Sequence, residues 1–385
     1  MKASIVKYIP GDKSVVKALT LCEGLSQLRP GSKVLIKPNC VFPGPPKKRP
    51  KGTVNNAAVL AELVEALKEA GAGEISIGEG TIVIKELKTS TAGCFTWAGI
   101  KELGDQYGVT LVDFNEGPYR NFDFDGHKVR VAEAAFETDF FIDVPVLKTH
   151  TQTRVSLGLK NLKGCLSATS RKTFHEQGLE KFIALLGKEI KVDLCMIDAL
   201  FGLQKGPFGE DAHPLDLIIA SQDVIAADMV GAEVMGIDYR EVVHLKTLAE
   251  MTGHDFDLKA LTLEGETLEE ARHPLEWWYP WTDELLQAFD IKGLTVKNPG
   301  LMFCSGCTIT LFAGLRNYLK NHAGKDFGGA EICMGSAVAD PGASPVVLLG
   351  KCPIKMNEDR SDAFRVKGCP VSIGDVVTEL TKALG

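Results

Sequence analysis

Five cysteines near the end of the chain constrain its fold and chemistry more than any other feature. They are Cys304, Cys307, Cys333, Cys352 and Cys369. Short apolar runs at residues 330–332, 346–349 and 364–366 lead into the last three and predict strands. Open α/β sheets bind their ligands at the carboxyl ends of parallel strands. Thiolates at the ends of neighbouring strands would therefore converge on one point.

Glycines beside these cysteines favour a bulky inorganic ligand. Gly306, Gly335, Gly350 and Gly368 would let the backbone approach such a ligand and donate N–H groups to it. We therefore predict an iron–sulfur cluster, most simply 4Fe-4S, held by thiolates of this set. One of the five is then spare, and Cys333 is the candidate because its strand has the least regular pattern.

Two other interpretations of these cysteines stay open. Cysteine is among the residue types most often buried, so core packing would suffice, although it requires neither the Cys304-x-x-Cys307 pair nor adjacent glycines. Zinc sites usually take two close pairs, whereas here one pair precedes three separate cysteines. Structural disulfides are not expected, because no secretory signal is recognisable at the N-terminus.

Length and charge limit the classes of partner. The chain has 385 residues and a formal net charge of −7, which suggests two or three domains and argues against a general nucleic-acid binder. No apolar run approaches the length of a membrane span. We expect a cytoplasmic protein with no nucleic-acid or membrane partner, in which thiols stay reduced.

The N-terminal pattern predicts a βαβ unit. Strands at residues 4–9, 34–37 and 74–78 alternate with helices at 14–28 and 57–70. The second strand stops at Lys37-Pro38-Asn39, which places Lys37 and Asn39 at its carboxyl end. The predicted fold is α/β, a mostly parallel sheet flanked by helices, plus a smaller C-terminal α/β module that carries the cysteines.

A lysine-rich stretch follows a predicted strand at residues 139–146. Lys148 and His150 come just after that strand, and residues 153–165 have apolar side chains at helical spacing. A helix there would carry Lys160 and Lys163 on its other face. Lysines that converge with Lys148 would bind carboxylate or phosphate, and His150 is a candidate proton donor. A solvated lysine face is the plainer alternative.

An ordered set of motifs resembles the domain of unknown function 362 family. The motifs are Lys37-Pro38-Asn39, Lys148-Thr149-His150, Lys160-Asn161-Leu162-Lys163-Gly164 and residues 196–202, 206–209 and 218–228, within roughly 30–265. The resemblance implies an α/β scaffold frequently joined to an iron–sulfur module, with the reaction unassigned. The C-terminal segments of family members commonly contain C-x-x-C-x-x-C, as ferredoxins do. The single C-x-x-C of this chain favours one cluster bound at the site over two clusters that pass electrons between them.

The motifs supply the candidate site. Candidate catalytic residues are His150, Lys148 and Lys160; candidate substrate-binding residues are Lys37, Asn39, Asn161, Lys163 and Gly202; the metal ligands would come from Cys304, Cys307, Cys352, Cys369 and Cys333. Asp198, Gly202 and Gly206 are expected to line the opposite wall of the pocket that these residues form. Asp223 is expected to cap a helix.

Three segments are predicted: an α/β domain at 1–265, an aromatic-rich connector at 266–295 and a cysteine-rich iron–sulfur module at 296–385. Tryptophans at 277, 278 and 281 are typical of packing between domains or subunits, so a homodimer stays open. The leading hypothesis is an iron–sulfur redox or Lewis-acid enzyme acting on an anionic small molecule. The alternatives are a non-catalytic electron-transfer or cluster-carrier protein that docks to a redox partner, and a zinc-stabilised binding module.

Overall fold

The computed structural model describes residues 1–41, 51–84, 88–207, 211–278, 281–297 and 305–385. They form two compact units, Met1–Trp277 and Trp278–Gly385. The predicted boundaries at 265 and 295 lie on either side of this division, so the predicted connector is shared between the units. Cys304, Tyr279 and Pro280 lie outside the described residues.

Most strands of the first unit belong to one sheet. The strands are β1 (Lys2–Lys7), β2 (Val34–Pro38), β3 (Ile75–Glu79), β4 (Thr110–Asp113), β5 (Tyr119–Phe124), β6 (His127–Ala132), β7 (Phe140–Val144), β8 (Val146–His150), β9 (Arg154–Ser156), β10 (Leu194–Leu203), β11 (Ala212–Ser221) and β12 (Thr262–Gly265). In the described part of the chain the main path is β12-β1-β11-β10-β7-β2-β3-β4, with β8 and β9 branching from β10. Strands β10, β7, β2, β3 and β4 run parallel, so their carboxyl ends share one edge.

Helices cover both faces of this sheet. They are α1 (Ser14–Leu21), α2 (Ala57–Glu69), α3 (Thr91–Ala98), α4 (Ile100–Tyr107), α5 (Gly158–Asn161), α6 (Ala168–Gln177), α7 (Leu179–Glu189), α8 (Val224–Val234), α9 (Val243–Thr252) and α10 (Leu268–Ala271). Alternate residues of β2 enter different cores: Leu35 packs with the α7 side and Ile36 with the α2 side. Covered on both faces, β2 and β7 are buried along their whole length.

Two predicted elements differ from the structure around Pro145. The strand predicted at 139–146 is divided into β7 and β8 at this proline, which has no N–H for the ladder. The helix predicted over 153–165 is wrong: the segment forms β9, the single turn α5 and a 3-10 turn, Leu162–Cys165. The first residues of this segment cannot be helical, because they form β9 and pair with β8 in an antiparallel ladder.

The second unit is a smaller parallel α/β sheet. Its strands are β13 (Lys292–Lys297), β14 (Asp326–Met334), β15 (Val346–Leu349) and β16 (Phe364–Val366), in that order in the sheet; its helices are α11 (Trp281–Ala288), α12 (Ser305–Lys320), α13 (Lys351–Met356) and α14 (Ile373–Leu384). The predicted strands before Cys352 and Cys369 coincide with β15 and β16, and the predicted fold class is confirmed. Of the described helices, none is long and apolar enough to cross a bilayer.

Candidate functional site

A buried ion pair lies at the carboxyl ends of β2 and β3. Lys37 Nζ is 2.8 Å from Glu79 Oε2, and both side chains are inaccessible to solvent. The ammonium also donates to Asn161 Oδ1 at 3.1 Å, and the carboxylate accepts from the N–H of Cys40 at 2.9 Å. Further hydrogen bonds of this kind are what a charge pair needs when it is removed from water.

Two asparagines connect this pair to Lys148. Asn161 Oδ1 also accepts from Asn39 Nδ2 at 2.9 Å, and Asn161 Nδ2 donates to Asp143 Oδ1 at 2.8 Å. Asn39 Oδ1 accepts from Lys148 Nζ at 2.7 Å. Side chains from β2, β7, β8 and α5 therefore form one continuous network. The structure brings together Lys37, Asn39, Lys148 and Asn161, as the sequence motifs predict.

Lys148 titrates in an unusual range for a lysine. Its ammonium is buried and also donates to the carbonyl of Thr53 at 3.0 Å. Burial, together with the nearby positive charge of Lys160, lowers the pKa of Lys148 to about 7. Lys148 can therefore gain or lose a proton near neutral pH, which is the requirement for a general acid or base.

The geometry of His150 fixes which ring nitrogen carries the proton. Nδ1 accepts from the backbone N–H groups of Gln152 at 3.0 Å and Thr153 at 3.3 Å. Nε2 must then be the N–H of the neutral ring, and it is buried without a hydrogen-bond partner among the described residues. Burial, followed by the charges of Lys160 and Lys163, lowers the pKa of His150 well below its usual value. His150 is therefore suited to donate a hydrogen bond as a neutral ring at neutral pH rather than to carry a positive charge.

Lys160 and Lys163 lie close to this histidine. Lys160 is in α5 and Lys163 in the 3-10 turn that follows it, and both lower the pKa of His150. Lys163 Nζ is 3.0 Å from His175 Nε2 of α6. Positive charge is therefore concentrated around a buried N–H donor, which favours an anionic ligand.

Asp228 holds the turn that carries Lys160. Its Oδ1 accepts from the N–H of Gly158 at 2.6 Å and its Oδ2 from that of Leu159 at 2.9 Å. Burial raises the pKa of Asp228 to about 7 despite these two hydrogen bonds. Asp223, by contrast, caps α8 as expected, accepting from the N–H of Ala226 at 2.9 Å.

A cavity of about 210 Å³ adjoins the network. Asn55 and Asp198 line it. Asn55 Oδ1 accepts from the N–H of Asn39 at 2.6 Å, and Asn55 Nδ2 lies 3.2 Å from Asp198 Oδ2. Gly202 is not part of this wall: a Cβ on it would meet Leu275 and Leu215.

Three of the described cysteines of the second unit come after strands along the chain. Cys352 and Cys369 come just after β15 and β16, and their neighbours are joined by a hydrogen bond from Lys351 N to Gly368 O at 3.0 Å. Cys307 is in the first turn of α12, the helix that follows β13. Without Cys304, which lies outside the described residues, no three His, Cys, Asp or Glu side chains of the described chain are grouped to hold a metal ion.

Cys333 differs from these cysteines. It is fully buried and packs with Val346 and Leu348, whereas its neighbour Ile332 packs with the core on the α12 face of the sheet. Its thiol donates to Glu331 Oε1 at 3.4 Å, and burial raises its pKa to about 12. A protonated thiol in an apolar environment is a poor metal ligand.

The segment that contains the network of the first unit matches a known protein family. The sequence model described as domain of unknown function (DUF362) matches residues 34–233, just over half of the 385 residues. The chain belongs to the DUF362 family. A thylakoid-associated protein of Synechocystis sp. is 25% identical to this DUF362 chain over 269 residues, which are 66% of this chain and 81% of that protein.

Two solved structures share a distant likeness with this DUF362 protein. The lactate racemase apoprotein of Thermoanaerobacterium thermosaccharolyticum has 11% identity and a TM-score of 0.40, covering 99% of this chain and 89% of its own. A structural-genomics protein of Thermotoga maritima has 14% identity and a TM-score of 0.39, covering 93% of each chain. Likeness at this level gives no information about the reaction.

The sequence motifs of this DUF362 protein did not reveal every member of the network. Glu79 directly follows the strand predicted at 74–78, and Asp143 lies within the strand predicted at 139–146; neither is among the candidate site residues. The one available signal was position, because Glu79 ends β3 and Asp143 is near the end of β7, beside β2. Asp228 ends the motif at residues 218–228, but the motif does not indicate its partners, which are 69 and 70 residues away.

Proposed function

We propose that this DUF362 protein is an enzyme that binds an anionic small molecule at the carboxyl edge of the first sheet. The observation that carries the proposal is the buried Nε2–H of His150, which has no acceptor among the described residues. A buried donor left unsatisfied costs about 1–3 kcal/mol. An oxygen of a bound carboxylate or phosphate would remove that cost, and Lys160 and Lys163 would supply the opposite charge.

Each residue has a distinct role in this proposal. His150 donates its Nε2–H to the anion, and Lys160 and Lys163 hold the anion by charge. Lys148 exchanges a proton with the substrate, since its pKa of about 7 permits both protonation states. Asn39, whose Oδ1 accepts from Lys148, orients that ammonium. Lys37 and Glu79 keep β2 and β3 in place beneath the site.

Binding of inorganic phosphate and of acetate, measured by calorimetry, tests the anion site. Lys160→Ala should raise the dissociation constant of the anion that binds more tightly by about tenfold or more, as loss of a charge-assisted contact does. Lys172→Ala is the matched control, because Lys172 is an exposed lysine on α6 that pairs with Glu176. The proposal fails if Lys148, Lys160 and Lys163 variants all bind both anions as the wild type does.

The second unit is proposed to hold an iron–sulfur cluster, most simply 4Fe-4S, on Cys304, Cys307, Cys352 and Cys369. Its support is that Cys352 and Cys369 come just after β15 and β16, and that Cys307 is in the first turn of α12, the next described element after β13. Thiolates are the usual ligands of such clusters. When bound, the cluster would supply electrons or Lewis acidity. Cys333 is proposed as the spare cysteine, because it is buried in an apolar cluster with Val346 and Leu348 and its thiol donates to Glu331.

Iron and acid-labile sulfide in protein purified without oxygen test the cluster. Cys352→Ser should lose both, while Cys333→Ser, the matched control, should keep them. Zinc without sulfide would instead support the zinc-stabilised binding module. A retained cluster with no anion binding would support the electron-transfer or cluster-carrier alternative, which acts through a redox partner protein. A cytoplasmic, anaerobic setting belongs to this proposal, because thiols and clusters persist there.

A further inference from the structure

Two buried cysteines of the first unit are in contact beside the Lys37–Glu79 pair. Cys40 follows β2, and Cys94 is in α3. Their Sγ atoms are 2.7 Å apart, and both residues are wholly buried. Non-bonded heavy atoms normally pack at about 3.5–4.0 Å, and a disulfide bond is about 2.05 Å long. The two sulfurs are therefore closer than packing requires and nearly within bonding distance.

The backbone around this pair is already held in place. The N–H of Cys40 donates to Glu79 Oε2 at 2.9 Å, and its carbonyl accepts from Thr81 Oγ1 at 2.7 Å. Cys94 Sγ also lies 3.2 Å from that carbonyl. Closing the sulfurs to bonding distance requires a movement of less than about 1 Å, which side-chain rotation can supply.

The short distance between the two sulfurs is explained neither by a metal site nor by the packing of buried cysteines. Within the described residues no third His, Cys, Asp or Glu joins the two thiols in a metal-binding group. Cys22, Cys165 and Cys195 are also buried in the same unit, yet among the described residues none of their thiols is hydrogen-bonded to another sulfur. Contact between sulfurs is therefore not a general result of burying cysteine in this unit.

We propose that Cys40 and Cys94 form a reversible disulfide that ties the turn after β2 to α3. With hydrogen peroxide as oxidant, one thiolate attacks a peroxide oxygen and becomes a sulfenic acid as hydroxide leaves. The second thiolate then displaces hydroxide from that sulfur. Two thiols and one peroxide become one disulfide and two waters, and a dithiol reductant reverses the change. Burial raises the pKa of the Cys40 thiol well above its usual value, so the reaction is slow.

Peptide mapping tests this disulfide in the whole chain. Protein purified without oxygen is treated with hydrogen peroxide, then denatured without reductant in N-ethylmaleimide, digested and examined by mass spectrometry. A peptide linking Cys40 to Cys94 should appear and should vanish after dithiothreitol. Cys94→Ser should lack it, and Cys22→Ser, the matched control, should retain it.

A second experiment makes the buried thiols accessible to the oxidant. The same protein is held in oxidised glutathione with urea below its unfolding midpoint, so that local opening of α3 exposes the pair. Disulfide formation should then raise the melting temperature of wild type but not of Cys94→Ser, because the bond closes a loop between residues 54 apart. Recovery of Cys40 and Cys94 as separate maleimide adducts in both experiments overturns the proposal.

Discussion

Lys37 and Glu79 form a 2.8 Å ion pair in which neither side chain is accessible to solvent. The pair links β2 to β3, and through Asn161 it reaches α5. Two charges this deep depend on each other, because either one alone would be an uncompensated charge in a medium of low polarity.

Lys37→Met should destabilise the first unit by about 3–5 kcal/mol, because it leaves Glu79 charged and unpaired. Urea unfolding followed by circular dichroism measures the loss. Lys101→Met, which breaks the exposed pair with Asp105, is the control and should cost about 1 kcal/mol or less. The double variant Lys37→Met/Glu79→Gln should be less destabilised than the sum of its single changes; strict additivity would contradict the coupling.

Gly164→Ala should disturb the same pair through space. A Cβ at this position would meet Glu79 Oε1 and would lie 2.6 Å from Lys37 Nζ. Overpacking of this kind costs about 1–3 kcal/mol. Gly374→Ala is the control: this glycine is exposed in α14 with open space around it, so the change should be neutral or should stabilise by about 0.5–1 kcal/mol. Equal stability of the two variants in urea unfolding would contradict the prediction.

Lys148 should make stability rise with pH above neutrality. Its folded pKa of about 7 is below the unfolded value of about 10.4, so between these pH values the unfolded chain holds a proton that the folded chain has lost. Stability from this group is therefore present at high pH and is lost as pH falls through about 7. The advantage of wild type over Lys148→Met should grow with pH in that window, by up to about 1.4 kcal/mol per unit. A constant difference in unfolding free energy would show that Lys148 titrates normally.

Asp228 should have the opposite effect at lower pH. Its folded pKa of about 7 is above the unfolded value of about 3.9, so the folded chain keeps a proton that the unfolded chain loses. Stability from this group is present at low pH and is lost as pH rises to about 7. The unfolding free energy of wild type relative to Asp228→Asn should therefore fall between pH 4 and 7. A difference that rises over this range would mean that the two backbone hydrogen bonds outweigh burial.

Apolar periodicity and strand-ending residues predicted the elements that depend only on neighbouring residues in the sequence. Periodicity and strand ends placed β2, β15, β16 and the Lys37-Pro38-Asn39 turn correctly. The helix predicted over 153–165 failed because β8 pairs with β9, a contact that helical spacing of apolar residues does not encode. The apolar residues were buried even so: Val155, Leu159 and Leu162 have no exposed area.

The site was predictable only in part for the same reason. Lys37, Asn39, Lys148 and Asn161 belong to motifs, and the structure joins them. Gly202 belongs to a motif too, but the neighbouring leucines occupy its surroundings. The pKa values of Lys148 and His150 depend on burial and on charges brought close by the fold, so they cannot be read from the sequence.

The hydrogen bonds of the network join very distant parts of the chain. Asn161 is 124 residues from Lys37, and Asp198 is 143 residues from Asn55. High contact order of this kind delays assembly until most of the polypeptide has condensed. An excised fragment ending before α5 would thus present no partial version of the pocket. A ligand bound there would oppose global unfolding of the whole unit, because occupancy and the native topology arise together.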